Sequence, residues 1–263
     1  MSEQPVLFTR LDSIARVTLN RPAQGNAIDL PMARDLSALA LQCDTDDSIR
    51  CVVLSGSGRM FCVGGDIGLF SSAGSSIPAL LTELAGCLHT ALVRLARMQK
   101  PLLVLVNGPA AGAGLSLSLL GDVVIAARSA HFTSAYTGIG LSPDGGLTWI
   151  LPRLVGVRRA QEIILTNRRI GSAEAQTTGL VTSVVDDEML ADAGNKMAES
   201  LSRSATRALG AARSLLLESF QSSYETQVER EARAIAAAGR DPESAEGIAA
   251  FLAKRPPNFP ERR

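Results

Sequence analysis

The stretch IGLSPDGGLTW, residues 139–149, holds a single carboxylate, Asp144, between apolar segments. As turn chemistry the pattern is ordinary. Pro143 pre-sets φ, an Asp bonds its own backbone, and the pair Gly145–Gly146 accepts positive φ. As reaction chemistry it offers one acid/base group, because a carboxylate enclosed by apolar side chains is a stronger base than a solvated one. Two more Gly-rich stretches follow strand-like runs, FCVGGDIGLF (61–70) and NGPAAGAGL (107–115). Neither ends in the Lys and Ser/Thr of a phosphate loop, and neither is a dinucleotide fingerprint opening a helix after the first strand. What remains is backbone N–H groups brought close to an oxygen that gains negative charge, most simply a carbonyl. His89, in ELAGCLHTALVRLA, reads as a packed or capping histidine, and Trp149, the only tryptophan, reads as core.

These groups must be positioned by the elements between them. ARVTLN (15–20), CVVLSGSG (51–58), PLLVLVNG (101–108) and DVVIAA (122–127) are β-branched or apolar runs ending in turn residues, and predict strands. DLPMARDLSALALQCDTDD (29–47) and GAGLSLSLLG (112–121) carry helical spacing between them. The alternation predicts an α/β core with buried strands. Ser and Gly make 70–78, FSSAGSSIP, a predicted mobile loop. After residue 153 the pattern turns helical. SAEAQTTGL (172–180) predicts a helix with a Ser cap and a Gly stop, and 187–238 is helix-forming without Pro.

Composition excludes several classes. With 263 residues, 46% hydrophobic and 20% charged, the chain can bury a large core. Twenty-six basic residues balance twenty-six acidic ones, so no bulk charge favours nucleic acid. Cys43, Cys51, Cys62 and Cys87 lack metal-finger or CxxC spacing and read as reduced core thiols, which predicts a cytoplasmic protein. No basic segment followed by an apolar one opens the chain, so no signal peptide is expected. The apolar run 101–127 is broken by Asn107, Asp122 and several Gly residues, so no membrane association is expected.

LNRPAQGNAI, MFCVGGDI, VNGPAAGAGLSLSLLGDVVIAA, FTSAYTGIGLSPDGGLTWILPRLVG and the tail AFLAKRPP together resemble the crotonase (enoyl-CoA hydratase/isomerase) family, from about residue 6 to residue 260. The resemblance implies a crotonase-like spiral of β-β-α turns over residues 1–200 and a C-terminal helical trimerisation region over 201–263. It implies a homotrimer or dimer of trimers acting on an acyl-CoA thioester, with no metal and no cofactor beyond the CoA of the substrate. It places the two carbonyl-polarising N–H groups at Gly65 and Ala113. It places Ala23, Ala27, Asp66 and Ile67 along the CoA path, with Phe251 and Lys254 reaching the nucleotide of a neighbouring subunit. PALLTELAGCL (78–88) would line the acyl pocket.

Hydratases of this family use two glutamates, and this chain has Ser116 and Tyr136 at those positions, so both are pocket candidates without carboxylate chemistry, and His89 is a third pocket candidate. Asp144 falls where isomerase members keep their single acid. The resemblance therefore implies an isomerase, shifting a double bond or isomerising a ring epoxide through an enolate. Three alternatives stay open. One is a generic hydratase. Another is an aryl-CoA dehalogenase-like hydrolase with Asp144 as nucleophile and His89 as base. The last is a non-catalytic acyl-CoA-binding paralogue.

Overall fold

Residues 4–259 are described by a computed structural model. The chain opens with a hairpin, β1 (Val6–Leu11) and β2 (Ile14–Leu19), followed by α1 (Leu30–Thr45) and β3 (Cys51–Gly56). Then come α2 (Ile67–Ala73), α3 (Ile77–Arg97), β4 (Leu102–Val106), β5 (Ala110–Ala111) and α4 (Ala113–Ser118). The next turn is β6 (Val123–Ala127), β7 (His131–Thr133), α5 (Leu147–Val155) and α6 (Val157–Thr166). It continues through β8 (Ile170–Gly171), α7 (Ser172–Thr177) and β9 (Ser183–Val185). The chain ends in α8 (Leu190–Ser202), α9 (Thr206–Ser219), α10 (Tyr224–Ala238) and α11 (Pro242–Leu252).

Two sheets result. The larger has the order β1-β2-β3-β4-β6-β9 and is parallel from β2 onward. Its central strands, VVL of β3 and LLVLV of β4, are buried along their length, as expected of parallel strands covered on both faces. The smaller sheet is β5-β7-β8, and single parallel bridges extend it from Ala110 to Cys62 and from Gly65 to Ile28. Each passage of the chain thus lays one strand in the large sheet, a short segment in the small one, and then a helix. That is the expected β-β-α spiral.

Three local expectations are corrected. Val6–Leu11 is a strand that the sequence reading did not identify, and its partner β2 supplies the pairing that its own exposed pattern does not advertise. Residues 70–78 are not a loop. They complete α2, pass through a short 3-10 turn and start α3. Ser172 does not cap α7. Gly171 holds that place, while the Ser172 hydroxyl donates to the Arg128 carbonyl at 2.7 Å.

Helix ends are held by local caps and by long-range partners. Asp29 caps α1 by accepting from the Met32 N–H at 2.9 Å. The fully buried Lys100 closes the other end, donating to the carbonyls of Cys43, Asp44 and Asp46 at 2.6, 3.1 and 2.6 Å. A cation against the last carbonyls of a helix is electrostatically favoured. Arg50 does the same for α8, donating to Ser202 and Ser204 carbonyls, both at 2.7 Å. Glu243 of α11 accepts from the Thr206 and Arg207 N–H groups that open α9, at 3.2 and 3.0 Å. Arg50 and Glu243 also pair with each other at 3.5 Å, both almost fully enclosed.

Among the described residues, Ile67–Arg97 is the one stretch long and apolar enough to cross a membrane by length and composition. In the fold, α3 buries Leu84, Leu88, Ala91, Leu92 and Leu95 and packs against α1.

Glu243→Ala strips the acceptor from two N–H groups of α9 and removes a carboxylate from beside the buried Arg50. Breaking such a buried pair costs about 3–5 kcal/mol, so denaturant unfolding should show a loss of that size, with Glu243→Gln less damaging.

Candidate active site

The site begins with backbone. Ala111 N–H donates to the Cys62 carbonyl at 2.9 Å and Cys62 N–H to the Pro109 carbonyl at 3.2 Å, so residues 62–65 run beside 110–113. Only glycines permit this approach. A Cβ on Gly114 would meet the Cys62 carbonyl oxygen at 2.1 Å. Gly64, at φ +100°, and Gly112, at φ +53°, occupy backbone regions that L side chains rarely adopt. A Cβ on Gly64 would lie 3.1 Å from the Ala111 carbonyl and 3.6 Å from the Ala113 nitrogen. The two turns are therefore in contact.

Gly65 and Ala113 both line a cleft of about 460 Å³. Among the described residues, neither N–H has an acceptor, because Ala113 is the first residue of α4 and Gly65 lies outside any helix or strand. Helix α4 is only six residues long, so these donors rather than a long helix dipole must act on a bound oxygen. Buried Asn26 supports the first turn, donating from Nδ2 to the carbonyls of Ser57, Met60 and Phe61 at 2.9, 2.7 and 3.1 Å. Phe70 closes over Gly65, where a Cβ would meet its ring at 2.5 Å. The sequence reading singled out neither Asn26 nor Phe70.

Asp144 lines the same cleft and, among the described residues, is the only carboxylate in its wall. The expectation that apolar neighbours enclose it is corrected. Its side chain is 37% exposed, on a turn at the wall of the open cleft. Its Oδ1 accepts from the Gly145 N–H at 2.6 Å and contacts His89 Nε2 at 2.5 Å. Among the described residues, Oδ2 has no partner. The packed or capping reading of His89 is likewise corrected, since the ring is 47% exposed and pairs with Asp144 across 55 positions of sequence, and as a pocket residue it lines a neighbouring cleft and not this one.

Ser116 and Tyr136 hold the acid's backbone. Ser116 Oγ donates to the Asp144 carbonyl at 2.8 Å, and Tyr136 Oη donates to the same oxygen at 3.2 Å. Ser116 is fully buried beneath the cleft and does not line it, whereas Tyr136 does. Burial pushes the Tyr136 hydroxyl up to about 12, so at neutral pH it is a donor and not a base. The adjacent Cys62 thiol is likewise pushed up to about 12 by burial, which removes it as a nucleophile.

The remaining candidates separate. Leu81, Thr82, Leu84, Ala85 and Leu88 of α3 line the cleft, as do Ile28 and Ile67. Ala23 is exposed in a 3-10 turn and Ala27 is buried, and neither is in the wall. The Asp66 carboxylate is engaged, capping α2 through the Leu69 N–H at 3.2 Å and pairing with Arg21 at 3.1 Å. Phe251 and Lys254 lie at the far end of the tail, outside this chain's own cleft, with Phe251 83% exposed. Trp149 is not core. It is half-buried in the wall of a second cleft of about 620 Å³, with the Arg153 guanidinium 4.0 Å above its ring and Phe220 edge-on at 6.4 Å. Among the described residues, no cluster of His, Cys, Asp or Glu could hold a metal ion.

A family model described as enoyl-CoA hydratase/isomerase matches residues 9–262. The 1,2-epoxyphenylacetyl-CoA isomerase of Escherichia coli is 38% identical over 254 residues, spanning 94% of both chains. The 4-chlorobenzoyl coenzyme A dehalogenase-2 of an Arthrobacter species is 30% identical over 254 residues, spanning 96% of this chain and 92% of that one. The crystal structure of an enoyl-CoA hydratase from Polaromonas sp. JS666 superposes with a TM-score of 0.93 at 30% identity, over 97% of this chain and 99% of that one. Three chemistries thus share the scaffold, and side chains must choose among them.

Because the unfolded chain releases the Tyr136 proton near pH 10 and the folded chain keeps it to about 12, stability must fall as pH rises through that window. In urea melts the stability advantage of the wild type over Tyr136→Phe should therefore shrink between about pH 9 and about pH 11.5. A constant difference would contradict the assignment.

Proposed function

This chain belongs to the enoyl-CoA hydratase/isomerase family, and on that premise we propose that it is an acyl-CoA isomerase run by Asp144. The observation that carries the reading is a cleft whose wall holds one carboxylate and two unpaired backbone N–H groups. In a 3-enoyl-CoA, Asp144 Oδ2 takes a proton from C2, and the electron pair moves into the thioester carbonyl. The Gly65 and Ala113 N–H groups hold the resulting dienolate oxygen. The same oxygen of Asp144 returns the proton at C4, leaving a 2-enoyl-CoA with no atom gained or lost. Isomerisation of a ring epoxide is the second reaction of this class that the site suits, and the likeness to the epoxyphenylacetyl-CoA isomerase supports it.

Hydration needs a second carboxylate within reach of water, and among the described residues the wall has none: Ser116 is buried beneath it and Tyr136 keeps its proton. The dehalogenase-like reading needs a His89 free to activate water, but its Nε2 is engaged by Asp144. A binding-only role leaves an acid and two donors around a cleft without employment.

We place α9–α11 in a helical trimerisation region, a reading supported by the exposure of Leu216, Phe220, Ile235 and Phe251. In such an assembly Phe251 and Lys254 would serve a neighbour's CoA. The free, buried thiols of Cys43, Cys51 and Cys62 support a cytoplasmic location, and CoA is the only cofactor proposed, arriving as the substrate thioester.

Asp144→Asn keeps the turn's hydrogen-bonding shape but removes the base. Its kcat on a 3-enoyl-CoA should fall by at least about 10³-fold, with KM changed little. A variant retaining full activity would remove the mechanism.

A further inference from the structure

Asp144 presents its two carboxylate oxygens to different partners. Oδ1 is taken by the Gly145 N–H at 2.6 Å and by His89 Nε2 at 2.5 Å. Oδ2 has no partner among the described residues. The main-chain carbonyl of the same residue is held by Ser116 and Tyr136. The residue is therefore fixed at every acceptor except one.

His89 stands outside the cleft that Gly65, Ala113 and Asp144 line. Along α3, Leu88 lines the acyl cleft, while His89 and Leu92 line the second cleft behind the turn. The Gly145–Gly146 turn and the His89–Asp144 pair separate the two spaces. Without His89, only the adjacent Gly145 N–H would restrain the Asp144 side chain, and the carboxylate could turn toward the larger cleft.

We propose that His89 is a positioning residue for proton transfer, fixing Oδ1 so that Oδ2 alone faces the substrate. This rests on the isomerase reading of Asp144 and deepens it. His89 touches no reacting atom. With Nε2 protonated, the imidazole donates to Oδ1 and sets which oxygen carries the proton between C2 and C4. Misplacement of a reacting group by about 1 Å can cost about 10² in rate, which sets the scale of the effect.

Two reactions read this out. One is isomerisation of a 3-enoyl-CoA. The other is exchange of the C2 protons of butanoyl-CoA in D₂O followed by NMR, which needs the base and the two N–H donors but no double bond. In the exchange, Oδ2 takes the proton, the carboxyl group trades it for a solvent deuteron, and the deuteron returns to C2.

His89→Ala should lower both rates about 10- to 100-fold with KM within about threefold of wild type. His89→Gln, which keeps an N–H donor on a flexible chain, should recover most of the loss. Because His89 is 47% exposed, added imidazole should also recover part of it in His89→Ala, and none in Asp144→Asn. Full rates in His89→Ala would overturn the proposal. So would a loss that neither Gln nor imidazole repairs, since that is the mark of a structural role. A wild type that exchanges the C2 protons without isomerising would refute the isomerase reading alone, and the variants' exchange rates would then decide the role of His89. A wild type that does neither refutes both.

Discussion

The site depends on two stretches of backbone lying closer than side chains allow. Residues 62–65 and 110–114 touch because Gly64, Gly112 and Gly114 put hydrogen atoms where any other residue would put carbon. The Cys62 carbonyl, 2.1 Å from where a Cβ of Gly114 would stand, marks the tightest of these approaches. From that contact follow the start of α4 at Ala113, the unpaired N–H there, and the matching N–H at Gly65. The large sheet brings β3 and β4 side by side, and the small sheet repeats the pairing one layer away through Cys62 and Ala110. The fold thus converts strand pairing into a pair of fixed donors, which cost no reorganisation when charge develops on a bound oxygen.

The second half of the site is built on different physics. Asp144 sits on a turn, a flexible place for a base that must act to within a fraction of an ångström. Side chains from three elements compensate. Ser116 from α4 and Tyr136 from the loop after β7 take its carbonyl, and His89 from α3 takes one carboxylate oxygen. Ser116 and Tyr136 are thus supports for the acid. A hydroxyl pair that clamps a carbonyl needs no ionisation, and burial keeps the Tyr136 proton in place far above neutral pH.

How much was legible in the sequence followed from the range of the interactions. The α/β alternation could be read because the longer strand runs end in turn signals and the helices between them carry their own period, whereas the spiral followed from the family resemblance. That Gly65, Ala113 and Asp144 line one cleft followed from contiguous motifs of the same resemblance. The pairing of His89 with Asp144 spans 55 positions and that of Arg50 with Glu243 spans 193, and no local pattern encodes either. The exposure of Asp144 was misjudged for the same reason. Its sequence neighbours are apolar, but its side chain is 37% exposed at the cleft. Trp149 looked like core by residue type, while a guanidinium and a phenyl ring hold it at a cleft wall. Residues 70–78 have the composition of a mobile loop and are held in helices that cover the Gly65 turn through Phe70.

The central claim is that one carboxylate and two backbone donors make an isomerase and not a hydratase. The most direct measurement compares the purified wild type on a 3-enoyl-CoA and a 2-enoyl-CoA by ultraviolet absorbance of the conjugated thioester. The account predicts that absorbance grows with the 3-enoyl compound and holds steady with the 2-enoyl one. Rapid loss of absorbance from the 2-enoyl compound would mean that water is being added, and that a second base operates in the cleft beside Asp144.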